Sequence, residues 1–154
     1  MSWDLVVFAA GTPKAVDADG LASFEPGWTP FPLGSLTEIQ RQVTAALPQS
    51  QWLEDRWGQY QDADCSMEFN LGSEDPVTSL MIHARGFAIH AVLHLIAVSG
   101  WVALDTTTGT WMDDKSSAGA GAQQVDAFLS AAVDLANPPR KPSLWDRLLG
   151  RTTA

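Results

Sequence analysis

The chain has 154 residues, of which 45% are hydrophobic and 18% are charged, with 18 acidic and 9 basic side chains and a formal net charge of -9. This length suits a single domain, and the apolar content is too high for a chain that is disordered throughout. No apolar stretch reaches the roughly 18 residues that a membrane-spanning helix needs, so we expect no membrane span.

The charge is unevenly distributed along the sequence. Residues 1–139 contain 17 acidic and 5 basic side chains, a net charge of -12. The other four bases lie in the last 15 residues, at Arg140, Lys141, Arg147 and Arg151. An acidic field repels nucleic-acid phosphates and attracts basic proteins. We therefore expect a basic protein partner and no nucleic acid, although the acidity could instead serve only to keep the protein soluble.

The N-terminal sequence and the cysteine content both bear on location. The first residues, Met-Ser-Trp-Asp-Leu-Val-Val-Phe, place no basic residue before the apolar run, unlike a secretory signal. The only cysteine, Cys65, cannot form an internal disulfide, which suits a reducing compartment. These features predict a cytoplasmic protein.

The first elements in chain order are predicted to be a strand, a long loop and a helix. Residues 3–10 form a nearly continuous apolar run, as in a central strand. Residues 11–34 are rich in proline and glycine without a sustained period, so we expect a long loop and a candidate binding surface. Ser35 and Glu38 have the spacing of a capping box, and apolar residues then recur at helical spacing up to Leu47.

The next elements are predicted to be two hairpins with a helix between them. Residues 66–71 and 79–85 alternate between apolar and polar side chains, which predicts two antiparallel strands. Residues 87–98 are apolar apart from two histidines and indicate a buried helix that ends near Gly100. Residues 101–105 and 110–112 flank a turn and predict a closing hairpin.

A connector, a last helix and a tail complete the predicted order. Residues 116–121 are rich in serine, alanine and glycine, as in a flexible connector, and residues 125–136 have the pattern of an amphipathic helix. The order β-α-β-β-α-β-β-α predicts an α+β fold with helices packed on one face of a mainly antiparallel sheet. We expect one globular domain over residues 1–139 and a basic amphipathic tail over residues 140–154.

The predicted tail allows three interpretations. Its apolar residues Leu144, Trp145, Leu148 and Leu149 could form one face of a short helix surrounded by bases. Such a helix could dock on a membrane surface or on a partner. It could also mediate self-association into a homo-oligomer. We favour the third interpretation, in which the tail folds back on the acidic body and is partly frayed.

The sequence contains no strong catalytic signature, so we expect that the protein is not an enzyme and binds no cofactor. Neither a nucleophile elbow nor a phosphate-binding loop occurs. Cys65 lies between Asp64 and Ser66 in an acidic segment, where negative charge disfavours the reactive thiolate.

His90 and His94 have the spacing of two metal ligands on one helix face, and His83 on the preceding strand could supply a third. The residue after His90 is Ala91, so the glutamate of the zinc metalloprotease motif is missing. A small metal-binding or ligand-binding accessory protein is therefore the weaker alternative function. The favoured interpretation of the histidines is a polar stripe at the edge of the core.

The most suggestive feature is a segment between residues 52 and 75 in which acidic and aromatic side chains alternate around a single base, Arg56. Its predicted partner-binding residues are Trp52, Glu54, Asp55, Trp57, Tyr60, Asp62, Asp64, Glu68, Glu74 and Asp75. Aromatic anchors within a ring of one charge are typical of tight protein interfaces. The alternative is that the tryptophans belong to the core and the acids only solvate its edge.

A series of short motifs runs through residues 57–112. The motifs are Trp57-Gly58, Ser66-Met67-Glu68-Phe69-Asn70-Leu71-Gly72, Glu74-Asp75-Pro76-Val77, Met81-Ile82-His83-Ala84-Arg85-Gly86, Gly100-Trp101-Val102-Ala103-Leu104-Asp105 and Thr108-Gly109. This series resembles a group of small proteobacterial proteins that look like immunity proteins of secreted antibacterial toxins, including toxins of type VI secretion. The resemblance implies a non-enzymatic inhibitor that covers a toxin's basic active-site cleft.

Overall fold

The computed structural model describes residues 2–112, which form one antiparallel sheet and two helices. In chain order, the elements are β1 (Ser2–Phe8), α1 (Leu36–Ala46), β2 (Gln51–Glu54), β3 (Trp57–Gln61), β4 (Cys65–Asn70), β5 (Leu80–Gly86), α2 (Ile89–Ser99), β6 (Val102–Asp105) and β7 (Thr110–Met112). The strands lie side by side in the order β2-β3-β4-β5-β1-β6-β7. The N-terminal strand is therefore internal and pairs with both β5 and β6.

The predicted α+β class and antiparallel sheet are confirmed, but the predicted order of elements is not. The structure adds the hairpin of β2 and β3, which the sequence analysis did not predict. The last predicted helix and the predicted tail, residues 140–154, lie outside the described residues. Within residues 2–112, neither helix is long and apolar enough to cross a membrane.

One face of the sheet, the core face, forms the hydrophobic core together with both helices. The strand residues buried on this face are Leu5, Val7, Met67, Phe69, Leu80, Ile82, Ala84, Ala103 and Met112. Helix α1 adds Ile39, Val43 and Ala46 to the same cluster, and α2 adds Ile89, Val92, Leu95 and Ile96. Since successive strand residues point to opposite faces, the alternate residues form a second face, called here the outer face.

Local sequence explains where the two helices begin and end. The Ser35 hydroxyl accepts a hydrogen bond from the Glu38 amide (3.3 Å), and the Glu38 carboxylate accepts one from the Ser35 amide (2.9 Å). This reciprocal pair is the predicted capping box, and its hydrogen bonds lower the pKa of Glu38. Helix α2 ends at Gly100, whose φ of 73° is the left-handed conformation that glycine adopts without strain.

The predicted long loop, residues 11–34, packs its aromatic side chains beside the end of β1. Phe24 stacks on Trp28 with ring centroids 4.5 Å apart, and both rings contact Phe8 edge-on. Trp111 joins this cluster, and its indole Nε1 donates a hydrogen bond to the carbonyl of Ala15 (2.9 Å). The loop is therefore held against the β1 and β7 side of the sheet by its own aromatics.

Candidate binding surface

The residues of the acidic and aromatic segment, residues 52–75, lie in different parts of the sheet. Some lie at one end of its strands, some at the other end, and some on its faces. Strand β3 separates the β2–β3 turn from the β3–β4 turn by about 13 Å, at about 3.3 Å per residue. The β2–β3 turn lies on the same side as the β4–β5 loop, because Arg56 Nη1 donates to the carbonyls of Gly72 and Glu74, both at 2.9 Å. Four exposed carboxylates lie at this end of the sheet, on Glu54, Asp55, Glu74 and Asp75. This group is called here the acidic end.

The acidic end is held in place by hydrogen bonds to its backbone, which leave its carboxylates free. Besides the two bonds from Arg56, the side chain of Gln40 on α1 donates to the carbonyl of Asp55 (2.6 Å). Within residues 2–112, none of the four carboxylates forms an ion pair. Beside them, the apolar side chain of Leu53 is 58% exposed. The acidic end thus presents negative charge and one apolar side chain on a braced backbone.

The opposite end of β3 carries Asp62 and Asp64, and there the carboxylate of Asp62 is used internally. Its Oδ1 accepts from the amides of Asp64 and Cys65, both at 2.8 Å, and its Oδ2 accepts from the Tyr60 hydroxyl at 2.7 Å. The Tyr60 hydrogen bond is the largest cause of the lowered pKa of Asp62. The same bond raises the pKa of Tyr60 to about 12. Asp62 and Tyr60 therefore stabilise the β3–β4 turn. Substituting them would disturb this turn as well as any contact with a partner.

The two tryptophans of the segment lie on different faces of the sheet. Trp52 packs beside Phe69 on the core face, with ring centroids 6.1 Å apart, and its Nε1 donates to the Thr44 hydroxyl of α1 (3.3 Å). A Cβ atom at Gly58 would lie only 2.8 Å from the Trp52 ring. Trp52 is thus a packing residue at the sheet edge, in line with the alternative given for it. Trp57 pairs with Asn70 on the outer face and is half-buried.

The outer face carries two rows of mainly polar side chains across four neighbouring strands. One row is Gln59, Glu68, His83 and Asp4, and the next is Gln61, Ser66, Arg85 and Ser2. Six of these residues line a recess in the outer face: Gln59, Gln61, Ser66, Glu68, His83 and Arg85. Glu68 was predicted as a binding residue, but its neighbours in the recess were not. The polar positions of the predicted hairpin were a signal for four of the six, and the two glutamines were missed because β3 was missed.

The three histidines do not come together. His83 lies on the outer face, where its Nδ1 is 2.9 Å from Oδ1 of Asp4. His90 and His94 are exposed on α2, which packs on the core face, so the sheet separates them from His83. No group of three or more His, Cys, Asp or Glu side chains that could hold a metal ion occurs in the part of the chain that the structure describes. The predicted three-histidine site is therefore not formed.

Cys65 is buried at the start of β4. The pKa of its thiol is raised to about 11, most strongly by burial and also by the negative charge of Asp62. This agrees with the prediction that acidic neighbours disfavour the thiolate.

The arrangement is suited to binding, since it offers exposed carboxylates on a braced backbone, an exposed apolar side chain and a polar recess. Complementary charge on a partner would be attracted to the acidic end and guided toward it. Comparison of the chain with protein-family models, with curated proteins and with solved structures finds no match in any of the three.

Proposed function

We propose that this protein is a non-enzymatic, cytoplasmic immunity protein that binds and neutralises a cognate secreted antibacterial toxin through its acidic surface. The observation that carries the proposal is the acidic end, where carboxylates from two separate loops are brought together by Arg56. Arg56 donates hydrogen bonds to backbone carbonyls, so the carboxylates of the acidic end remain available to a partner. A basic active-site cleft is the complementary surface.

The acidic end has the two components that protein recognition needs. Its exposed charges speed the encounter with a basic partner and favour one orientation of docking. The exposed Leu53 side chain supplies apolar area that a partner within reach of β2 would cover. Since the loops are already braced in the free protein, little conformational entropy is lost when they bind.

The experiment needs the toxin, and the gene next to the one that encodes this chain is where we would seek it. The purified C-terminal toxin domain is titrated with the full chain, and its toxicity is measured in cells with and without the chain. We expect binding and protection. If the chain neither binds this domain nor protects cells, the proposed function is overturned.

A pair of variants with matched charge locates the binding surface. We expect Glu54→Gln with Glu74→Gln to weaken toxin binding by about tenfold or more, mainly through slower association. The control, Asp19→Asn with Glu25→Gln, removes two exposed charges from the loop of residues 11–34. If both double variants lose affinity equally, the acidic end alone is not the binding surface, and either bulk acidity or the loop of residues 11–34 also attracts the toxin. Substitutions of Tyr60 or Asp62 would be a poorer test, since they also loosen the β3–β4 turn.

A further inference from the structure

The recess in the outer face contains three side chains that make no polar contact with the rest of the described structure. The side chains of Glu68, Gln59 and Gln61 form no hydrogen bond or ion pair with any other residue in the range 2–112. Two other amide side chains of the described residues have partners, since Gln40 donates to the Asp55 carbonyl and Asn70 accepts from the Gly72 amide. The recess therefore keeps its hydrogen-bonding capacity for a ligand, with water filling that role in the free protein.

Several groups in the recess can accept hydrogen bonds. Glu68 lies between Gln59 and His83 across the strands and supplies a half-buried carboxylate. His83 is oriented by Asp4, which lies on the other side of β5 from Glu68. When the neutral His83 ring donates through Nδ1 to Asp4, its Nε2 becomes an acceptor. The glutamine side chains add two carbonyl oxygens, so a ligand rich in N–H donors fits this lining.

The size of the recess limits the ligand to about one side chain. Its volume is about 210 Å³, below the roughly 300–1,000 Å³ of sites that hold small molecules or cofactors. A guanidinium group is planar, permanently charged and carries five N–H donors, which suits a carboxylate surrounded by other acceptors. The one cation of the lining, Arg85, is exposed and lies in the neighbouring row.

We infer that the recess binds an arginine side chain that the partner protein inserts, with the guanidinium group on Glu68. That the arginine belongs to a toxin rests on the proposed function, whereas binding of a guanidinium group by the recess does not. His83 and the two glutamines accept hydrogen bonds from the remaining N–H groups of the guanidinium. The positive charge of Arg85 disfavours binding of a second cation. The outer face thereby selects arginine over a neutral side chain of the same shape.

The test uses N-acetyl-arginine amide as the probe and N-acetyl-citrulline amide as its neutral match. The full chain is titrated with each probe while amide proton–nitrogen correlation spectra are recorded. We expect the arginine probe to shift resonances of β3, β4 and β5 around the recess, and the citrulline probe to bind at least about tenfold more weakly. Equal binding of the two probes, or no shifts with either, overturns the inference. This includes the case in which an arginine of the same chain already fills the recess.

Three variants assign the effect to the recess. Glu68→Gln should weaken binding of the arginine probe by about tenfold, whereas Arg85→Gln should strengthen it about twofold because a like charge is removed. Glu74→Gln, at the acidic end, should leave it unchanged. Loss of binding in Glu74→Gln, or full binding in Glu68→Gln, contradicts the assignment. Because the probe replaces the toxin, this inference can fail while the proposed function stands, and the reverse also holds.

Discussion

On the core face of the sheet, Leu5, Phe69 and Ile82 are completely buried against α1 and α2, whereas on the outer face their chain neighbours Asp4, Glu68 and His83 remain partly exposed. The same three strands thus carry both sets, one residue apart. The core face gains its stability from apolar burial, but the Glu68 side chain has no polar partner within the described chain. The difference teaches that single substitutions in one strand should separate stability from binding.

The largest expected effect is a difference in stability between substitutions at two adjacent residues of β4, one on each face. Phe69→Ala should lower the free energy of unfolding by about 3–5 kcal/mol, because it removes a fully buried ring and leaves a cavity. Glu68→Ala, one residue away on the outer face, should change it by no more than about 0.5 kcal/mol. Urea unfolding of the two variants provides the measurement. Similar losses in both would mean that the outer face is as important for stability as the core face.

A smaller effect is expected where the core face reaches its edge at β3. Gly58→Ala places a methyl group 2.8 Å from the Trp52 ring, so the ring must move or the strands must separate. We expect a loss of about 1–3 kcal/mol in the free energy of unfolding. The same substitution in a Trp52→Ala background should cost much less, since the obstructing ring is gone. Equal costs in both backgrounds would show that Trp52 does not pack on Gly58.

The subtlest prediction concerns Tyr60, whose hydroxyl, unlike the side chain of Glu68, has an internal partner. Because the pKa of Tyr60 is raised to about 12, its neutral phenol contributes stability below the unfolded-state value of roughly 10, and this contribution is lost as the pH rises through about 12. The chain has one tyrosine, so the phenolate absorbance reports Tyr60 alone. Asp62→Asn should move that titration toward the ordinary value.

Acid provides the matching test of Asp62. Its pKa is lowered in the folded protein, so its carboxylate contributes stability above the unfolded-state pKa of roughly 3.9, and this is lost as the pH falls through the folded pKa. The stability difference between the natural protein and Asp62→Asn should therefore shrink on acidification. A difference that does not change with pH would argue against the hydrogen bonds of the β3–β4 turn.

The elements with a clear hydrophobic period could be predicted from the sequence. Helix α1 has a capping box, and the strands β4 and β5 alternate regularly, because each buries one face. The hairpin of β2 and β3 could not, since β2 is a short edge strand and β3, with Gly58 between Trp57 and Gln59, has no regular apolar alternation. The pairing of β1 with β5 depends on contacts between distant parts of the chain, which no local pattern contains.

The candidate site was predicted as a stretch of sequence, and the structure explains why a stretch was too coarse. Strand β3 runs between Asp55 and Asp62, so these two residues lie at opposite ends of the sheet. Likewise, His83 and His94 are close in sequence but lie on opposite sides of the sheet. Arg56 is the exception, since this lone base in an acidic segment was visible in the sequence, though its role in joining two loops was not.

The most direct test of the central claim, that partner binding is located at the acidic end and is separable from stability, is the affinity of the Glu54→Gln and Glu74→Gln double variant for the toxin domain. We predict an affinity about tenfold lower or more, with an unfolding free energy within about 0.5 kcal/mol of the unsubstituted protein. An unchanged affinity would contradict the claim, as would a loss of affinity that is accompanied by unfolding.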